Sequence, residues 1–273
     1  MLGAIVGDVI GSFFEHSRLK VYDFDLFYPR SKFTDDTVMT LAVAEWLMSC
    51  PDKSKDDLIK IMQTFGREYP RAGYGYRFKL WLDSENPQPY NSWGNGSAMR
   101  VSPVGLYAYT LDEALELAKV TAEVSHNHPA GIAGAQAVAA AVWMARNGHS
   151  KEKIREYIMC RFNYDLTRTI EEIRPTYQWD VSCQESVPEA IIAFLDGKDF
   201  EDVVRLAVSL GGDADTQAAI AGSIAACVYP IPKWIAEECL KRLTPDLRIV
   251  MERFEGLVEL KPFNQLLDLM SDD

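Results

Sequence analysis

Carboxylates and hydroxyls gather at two places in the sequence, each at the predicted start of a helix. The first cluster is Thr34-Asp35-Asp36-Thr37, and the second is Gly211-Gly212-Asp213-Ala214-Asp215-Thr216. Adjacent carboxylates about 4 Å apart repel each other by roughly 4 kcal/mol at an effective dielectric constant of about 20. Such clusters are therefore either fully solvated or gathered around a cation. Hard oxygen ligands of this kind suit Mg²⁺, Ca²⁺ or Mn²⁺ better than zinc.

Other interpretations of these clusters are open on the residues alone. Thr34 is a favourable N-cap, and acidic residues in a first turn are common at helix starts. The second cluster also invites comparison with the aspartyl nucleophile of haloacid-dehalogenase-like phosphatases. That motif follows a β-strand, whereas the residues after Asp199 have helical spacing. An EF-hand is disfavoured because Ala218, Ala219 and Ile220 occupy later ligand positions.

The elements that must position these clusters are predicted to be helices. The alternation of apolar and polar residues that is typical of strands is absent. The positions of glycine and proline, which often mark helix ends, fit roughly ten or more helices. Two segments rich in alanine and glycine, one after Pro129 and one after Asp213, are predicted to lie at the centre. Other predicted helix starts are Thr34, Ser54, Thr110, Ser150, Thr169, Ser186 and Asp199. We therefore predict an all-α, compact single-domain helical bundle formed by residues 1–273.

The first predicted helix carries Gly3, Gly7 and Gly11 at intervals of four residues. Small residues at this spacing share one face of a helix and allow the backbone of another helix to approach closely. Asp8 is out of place beside that face, so we expect it to have a hydrogen-bonding or metal-site partner. Glu15 follows two phenylalanines and lies beside bulky apolar groups.

Composition limits the classes of function. The chain has 273 residues, a formal net charge of −12 at pH 7 and five cysteines without a CxxC pair. The negative charge argues against non-specific binding to nucleic acid. The short apolar runs predict no transmembrane helix, and the cysteines fit reduced thiols. We expect a cytoplasmic monomer that does not associate with membranes.

Two further segments are candidates for ligand contact. The glycine-rich segment Gly94-Asn95-Gly96-Ser97 precedes a predicted helix, where backbone N–H groups can converge on an anion. A plain turn would use the same residues. His126 and His128 precede the alanine-rich helix, and for each of them helix capping, hydrogen bonding in the core and ligand contact remain open. They do not have the HxxxH spacing of a helical zinc site.

Taken together and in this order, five motifs resemble the ADP-ribosylglycohydrolase family. This family includes the dinitrogenase reductase-activating glycohydrolase and the ADP-ribosyl-arginine and ADP-ribosyl-serine hydrolases. The motifs are Gly3-Ala4-Ile5-Val6-Gly7-Asp8-Val9-Ile10-Gly11 with Glu15, Thr34-Asp35-Asp36-Thr37, Gly94-Asn95-Gly96-Ser97-Ala98-Met99-Arg100, Ser125-His126, and Gly212-Asp213-Ala214-Asp215-Thr216. Ala214 stands where the family usually has threonine, and Val9 where it usually has a small residue. Neither departure removes an expected ligand.

The resemblance implies an all-helical fold, a compact single-domain orthogonal helical bundle, with two Mg²⁺ or Mn²⁺ ions. By position, Thr34, Asp35 and Asp36 would bind one ion. Asp213 and Thr216 would bind the other, and Asp215 would bridge the two. The resemblance also implies catalytic roles for Glu15, Asp36 and Asp215, and substrate binding by Gly94, Asn95, Gly96, Ser97 and His126.

The activity implied is hydrolysis of the glycosidic bond between ADP-ribose and an arginine or serine side chain of a protein. The partners would be ADP-ribose and the ADP-ribosylated protein. Two alternatives are hydrolysis of a small conjugate such as O-acetyl-ADP-ribose, and a non-catalytic protein that binds ADP-ribose or serves a structural role. The intact set of clustered carboxylates favours an enzyme, because clustered charge is costly to retain without a cation.

Overall fold

Residues 1–259 are described by the computed structural model, and they form an assembly of α-helices. Within that range there is no β-strand, and Gly94 and Ser182 form an isolated antiparallel bridge. The helices are α1 (Leu2–Gly11), α2 (Asp35–Ser49), α3 (Lys55–Glu68), α4 (Tyr76–Asp83), α5 (Gly96–Met99), α6 (Ser102–Tyr107), α7 (Leu111–Glu123), α8 (Pro129–Arg146), α9 (Lys151–Phe162), α10 (Ile170–Ile173), α11 (Cys183–Asp196), α12 (Phe200–Val208), α13 (Ala214–Ala225), α14 (Lys233–Leu240) and α15 (Pro245–Glu259). The predicted all-α fold is confirmed. The predicted domain boundary at residue 273 lies outside the described residues.

Helix α13 is the centre of the fold, and every one of its residues is buried. Helix α1 packs directly on it through the predicted glycine face. A Cβ atom built on Gly7 would lie 2.0 Å from the carbonyl oxygen of Ala218, and one built on Gly11 would lie 2.4 Å from that of Ala214. Side chains at these positions would therefore force the two helices apart. The close approach lets α1 support the amino end of α13.

The second helix of small residues, α8, is also central. Eleven of its 18 residues are buried, including Gly131 and Gly134. A Cβ atom on Gly134 would lie 2.4 Å from the Sγ of Cys183, so α11 packs closely against this part of α8. The prediction that two small-residue helices occupy the centre is confirmed, and α1 joins them there.

Most helix starts follow the predicted capping chemistry. The side-chain oxygens of Thr34, Thr110 and Asp199, for example, each accept a hydrogen bond from a backbone N–H of the first turn. The prediction of a start at Ser186 was wrong. Helix α11 begins at Cys183, because the hydroxyl of Ser182 caps the first turn.

Two other local features differ from expectation. Helix α4 (Tyr76–Asp83) forms within residues 70–93, a stretch rich in glycine, proline and aromatic residues in which no helix start was predicted. Asp213 occupies the N-cap position of α13, but its side chain makes no capping hydrogen bond. The carboxylate of Asp213 is therefore available for other contacts.

The sequence predicted no transmembrane helix and reduced cysteine thiols. None of the described helices is long and apolar enough to cross a membrane. All five cysteines lie within the described range, and none is paired in a disulfide.

Candidate functional site

The two acidic clusters lie side by side in the folded chain. The hydroxyl of Thr216 donates a hydrogen bond of 3.3 Å to Oδ2 of Asp36, although these residues are 180 positions apart in sequence. The hydroxyl of Thr34 lies 3.5 Å from the same carboxylate oxygen. The amino ends of α2 and α13 therefore meet, and each brings hydroxyl and carboxylate oxygens to the same place.

Glu15 approaches this place from the turn that follows α1. Possible ligand atoms of Glu15, Asp213 and Asp215 all lie within 4.8 Å of one another, and this is the only such group of three or more His, Cys, Asp or Glu among the described residues. The side chain of Glu15 is 32% exposed, whereas Asp213 and Asp215 are buried. Asp35 and Asp36 lie outside this trio. Glu15 thus contributes the most accessible carboxylate of the three.

Burial and mutual repulsion make the carboxyls of this site hard to ionise. Burial, followed by repulsion from Asp8, raises the pKa of Asp35 to about 8. Burial is also the largest cause that raises the pKa of both Asp36 and Asp215 well above the usual range, and neighbouring carboxylates add to it. Burial raises the pKa of Asp213 as well. Without a compensating cation, the site retains protons that isolated carboxyl groups lose at the same pH.

Asp8 supports the start of α2 from the neighbouring helix α1. Its two oxygens accept hydrogen bonds from the backbone N–H and the hydroxyl of both Thr34 and Thr37. The Thr34 contacts are 2.9 Å and 2.7 Å long. Burial raises the pKa of Asp8 to about 6, although these hydrogen bonds lower it in part. The expectation that this aspartate has a hydrogen-bonding partner is confirmed, and its effect is to orient Thr34.

The donor set fits a divalent cation. Oδ1 of Asp36 is buried and has no hydrogen-bond partner within the described range. Leaving a buried carboxylate oxygen unpaired costs free energy, and a cation placed against it would remove that cost. The surrounding atoms are hard oxygens from carboxylates and threonine hydroxyls, which are the ligands that Mg²⁺ and Mn²⁺ prefer.

Metal-free protein is expected to lose stability as the pH rises from about 4 to about 8. The raised pKa values of Asp8 and Asp35 mean that the folded state binds protons more tightly than the unfolded state. Their stabilising effect is therefore complete below the unfolded pKa near 3.8, and it is lost as the pH rises through the folded pKa values. The loss is about 1.4 kcal/mol per pH unit for each such group while the pH lies between its unfolded and folded pKa values.

Melting temperatures measured in chelator across this pH range test the expectation. Addition of Mg²⁺ at pH 8 serves as the comparison and should restore the lost stability, since bound cations offset the charge. A melting temperature that stays constant or rises with pH in chelator would contradict the proposed protonation of the cluster.

Asn95 connects the glycine-rich segment to the acidic site. Its side-chain amide donates a hydrogen bond of 2.7 Å to Oδ2 of Asp213 and another of 3.2 Å to the hydroxyl of Ser186. Its backbone N–H donates to the carbonyl of Val181 at 2.7 Å. The main-chain N–H of Asn95 is therefore committed to the fold, while its side chain positions a carboxylate of the site.

The other residues of this segment differ in whether their N–H and hydroxyl groups already have hydrogen-bond partners. The N–H of Gly94 donates to the hydroxyl of Ser92, and the hydroxyl of Ser97 donates to the carbonyl of Gly131. The backbone N–H groups of Gly96 and Ser97, at the start of α5, have no hydrogen-bond partner within residues 1–259. These two groups are the ones free to meet an anion.

The two candidate histidines have different surroundings. His126 is buried, its Nδ1 is 2.8 Å from the hydroxyl of Ser125, and its Nε2 would lie 3.1 Å from a Cβ atom on Gly96. Burial holds the pKa of His126 well below its usual value, so its imidazole is neutral at pH 7. His128 caps α8, accepting a hydrogen bond from the N–H of Ala130 at 3.1 Å. The structure therefore places His126 beside Gly94 and Gly96, whereas His128 caps α8 and its ring centroid lies 5.7 Å from that of Trp93.

Arg100 ends the Gly94–Arg100 motif, and the sequence predicted no role for it. Its buried guanidinium donates hydrogen bonds to the carbonyl of Thr121 and to the hydroxyl of Ser125, and it lies over the ring of Phe78. Burial lowers its pKa to about 10, so it remains charged at neutral pH. These contacts hold the turn that carries His126. Only its place at the end of the Gly94–Arg100 motif indicated importance.

A family model and several known proteins are similar to this chain. The model of the ADP-ribosylglycohydrolase family matches residues 1–268. An uncharacterised protein from Archaeoglobus fulgidus is 34% identical over 157 residues, covering 51% of this chain and 52% of that protein. ADP-ribosylhydrolase ARH3 from Homo sapiens is 27% identical over 307 residues, covering 84% of each. ADP-ribosylarginine hydrolase Tri1 from Pseudomonas putida is 25% identical over 272 residues, covering 86% of this chain and 72% of that protein.

A solved structure shares the fold. It is described as an ADP-ribosylglycohydrolase-related protein complex, it superposes with a TM-score of 0.67 at 24% identity, and the match covers 94% of both chains. The family match extends over nearly the whole sequence and includes every residue of the acidic site. The chain belongs to the ADP-ribosylglycohydrolase family.

Proposed function

We propose that this protein is a divalent-metal-dependent hydrolase that releases ADP-ribose from a modified arginine or serine side chain of a protein. The contact between Thr216 and Asp36 carries the proposal, because it joins the two acidic clusters into one site. The names of two relatives, an ADP-ribosylhydrolase and an ADP-ribosylarginine hydrolase, support the class of bond that is cleaved.

The proposed ligands follow the two helix starts. On the α2 side, Thr34, Asp35 and Asp36 would hold one ion. On the α13 side, Asp213 and Thr216 would hold a second ion, and Asp215 would lie between the two. When bound, two Mg²⁺ or Mn²⁺ ions supply the positive charge that offsets the carboxylates and holds the hydroxyls of the distal ribose.

Glu15 is suited to proton transfer at the reacting bond. It is the partly exposed member of the carboxylate trio, and burial together with the charge of Asp213 raises its pKa. A carboxyl whose pKa is shifted towards neutral pH can both hold and release a proton during turnover. Cleavage at C1 of the ribose develops positive charge. Asp36 and Asp215 would contribute by holding the ions that orient the ribose hydroxyls beside this carbon.

The glycine-rich segment and His126 would hold the ADP portion of the substrate. The free N–H groups of Gly96 and Ser97 are available to the diphosphate, and the neutral His126 lies beside them. The segment is joined to the acidic site by the hydrogen bond from Asn95 to Asp213. Binding energy from the diphosphate would in this way position the ribose at the carboxylates.

An assay of ADP-ribose release tests the proposal. Peptides modified on arginine and on serine would be incubated with the protein in Mg²⁺ and, in parallel, in chelator. We expect release from at least one peptide in Mg²⁺ and a decrease of about a hundredfold or more in chelator. Release from neither peptide, or release that chelator does not reduce, would overturn the proposal.

A further inference from the structure

A chain of hydrogen bonds connects the buried cation of Arg100 to His126 through Ser125. Nη2 of Arg100 donates to the hydroxyl oxygen of Ser125 at 2.9 Å, and the same oxygen lies 2.8 Å from Nδ1 of His126. All three side chains are buried. The protonation of the His126 ring is therefore set by partners inside the protein, on the side of the ring that carries Nδ1.

The guanidinium of Arg100 is fixed by contacts with two helices. Nη2 donates at 2.7 Å to the carbonyl of Thr121 in the last turn of α7, where carbonyl groups have no partner within the helix and a cation is favourable. The guanidinium carbon lies 5.6 Å from the centre of the Phe78 ring in α4. A guanidinium donates hydrogen bonds and accepts none, so Ser125 must accept from it.

The direction of the next hydrogen bond follows from the single proton of the Ser125 hydroxyl. Within the described part of the chain, Nδ1 of His126 is the one acceptor that this hydroxyl contacts. If Nδ1 carried a proton, the buried hydroxyl would accept two hydrogen bonds and leave its own proton without a partner, which costs free energy. Ser125 therefore donates to Nδ1, and the hydrogen bond from Arg100 polarises the hydroxyl and strengthens this donation.

The proton of the His126 ring then lies on Nε2, because a neutral imidazole that accepts at one nitrogen is protonated at the other. Burial, followed by the charges of Arg100 and Arg77, holds the pKa of His126 well below its usual value and so opposes protonation of both nitrogens. Nε2 makes no hydrogen bond with residues 1–259, although His126 is only 6% exposed. Cβ atoms on Gly94 and Gly96 would lie 3.7 Å and 3.1 Å from it. An unpartnered N–H donor thus faces the glycine-rich segment.

The contacts of His126 restrict rotation of its ring. The ring centroid lies 5.6 Å from that of Tyr90 and 6.3 Å from that of Phe78, and the backbone N–H of His126 donates to the carbonyl of Ala122 at 2.7 Å. The position of the ring proton therefore decides whether the glycine-rich segment faces an N–H donor or an acceptor nitrogen.

We propose that Ser125, oriented by the cation of Arg100, is a positioning residue that keeps the proton of His126 on Nε2, so that the ring donates a hydrogen bond to a phosphoryl oxygen of the substrate. This inference rests on the proposed function, in which the glycine-rich segment holds the diphosphate of ADP-ribose. The free N–H groups of Gly96 and Ser97 are donors as well, and a group of donors favours an anionic oxygen. An acceptor nitrogen at the same place would repel that oxygen.

Nitrogen NMR of isotopically labelled histidine rings tests the inference without a measurement of activity. Long-range proton–nitrogen spectra distinguish a protonated ring nitrogen from an unprotonated one. The protein has four histidines, and a spectrum of His126→Gln identifies the signals of this residue. In wild-type protein at neutral pH with Mg²⁺, we expect Nε2 of His126 to be protonated and Nδ1 to be unprotonated. A wild-type spectrum in which Nδ1 is protonated would overturn the proposal.

Ser125→Ala removes the link between Arg100 and His126, and Ser102→Ala is the matched control. Ser102 is also a buried serine, in the first turn of α6, but its hydroxyl has no hydrogen-bond partner within the described range. Ser125→Ala should make protonation of Nδ1 detectable and should weaken the binding of ADP-ribose in Mg²⁺, measured by calorimetry, about tenfold. Ser102→Ala should leave the spectrum and the affinity unchanged. If Ser125→Ala does not fold, the wild-type spectrum still decides where the proton lies.

Failure of the inference can be distinguished from failure of the proposed function. If wild-type protein releases ADP-ribose from a modified peptide, but folded Ser125→Ala keeps the wild-type spectrum or the wild-type affinity for ADP-ribose, the positioning role is overturned and the hydrolase proposal stands. If the wild-type spectrum is as expected but the protein neither binds ADP-ribose nor releases it, the proposed function is overturned, and with it the contact between His126 and the substrate.

Discussion

Replacing Asp215 with alanine is expected to lower kcat for ADP-ribose release by on the order of a thousandfold or more and to abolish tight binding of Mn²⁺. Asp215 is buried in the first turn of α13, and its carboxylate lies among those of Glu15 and Asp213. The repulsion that raises its pKa comes from Asp213, Asp36 and Glu15, after burial itself. A group placed between so many carboxylates is the one best placed to contact two ions.

The folded state of this variant should remain intact, which separates a chemical role from a structural one. Removal of a repelled carboxylate relieves unfavourable charge in metal-free protein, so the melting temperature of Asp215→Ala in chelator at pH 8 should equal or exceed that of the wild type. Asp56→Ala is a suitable control, because Asp56 is an exposed acidic residue in the first turn of α3. Full activity of Asp215→Ala would refute the bridging assignment.

Replacing Gly7 with alanine is expected to lower the free energy of unfolding by about 3 kcal/mol or more. The added Cβ atom would lie 2.0 Å from the carbonyl oxygen of Ala218 and 2.6 Å from the backbone nitrogen of Ala219. Both contacts are with backbone atoms of a fully buried helix, so neither can be relieved by a side-chain rotation. Denaturant unfolding measured in chelator would report the loss.

Gly256→Ala is the matched control for this substitution. Gly256 lies within α15, and a Cβ atom there would meet nothing within 4 Å. Alanine is favoured over glycine inside a helix, so this variant should gain roughly 0.5–1 kcal/mol. If Gly7→Ala were as stable as the wild type, the close packing of α1 on α13 would be wrong.

The packing of α1 on α13 also affects the position of Asp215 in the site. Gly11 lies on the face of α1 that packs on α13, and a Cβ atom on it would lie 2.5 Å from the Cα of Asp215. Displacement of α13 by a bulkier residue on this face would therefore move Asp215 relative to Asp36. The glycines of the first motif thus contribute to the geometry of the carboxylates as well as to stability.

Local chemistry made much of the fold predictable. Hydroxyl and carboxylate caps at Thr34, Thr110 and Asp199 begin helices as expected, because a cap acts on N–H groups only two or three residues away. The start of α11 was misplaced because Ser182 and Ser186 offer the same capping group, and the sequence does not show which one is used. Helix α4 was missed because burial of Phe78 and Trp81 outweighs the breakers on either side.

The arrangement of the site was predictable only in part. The residue types and the resemblance to a known family indicated which side chains belong together. The contact of Thr216 with Asp36 and the hydrogen bond from Asn95 to Asp213 depend on how distant helices pack, which local patterns do not encode. The support that Asp8 gives to Thr34 was foreseen only as an unspecified partner.

The proposed function requires that the starts of α2 and α13 bind a pair of divalent cations. The most direct measurement is a crystal structure of the protein soaked in Mn²⁺, with anomalous scattering used to locate the ions. Two anomalous peaks are expected between the carboxylates of Asp36 and Asp213, with Asp215 contacting both. An anomalous map without peaks at this place, from a crystal in which the carboxylates are well ordered, would contradict it.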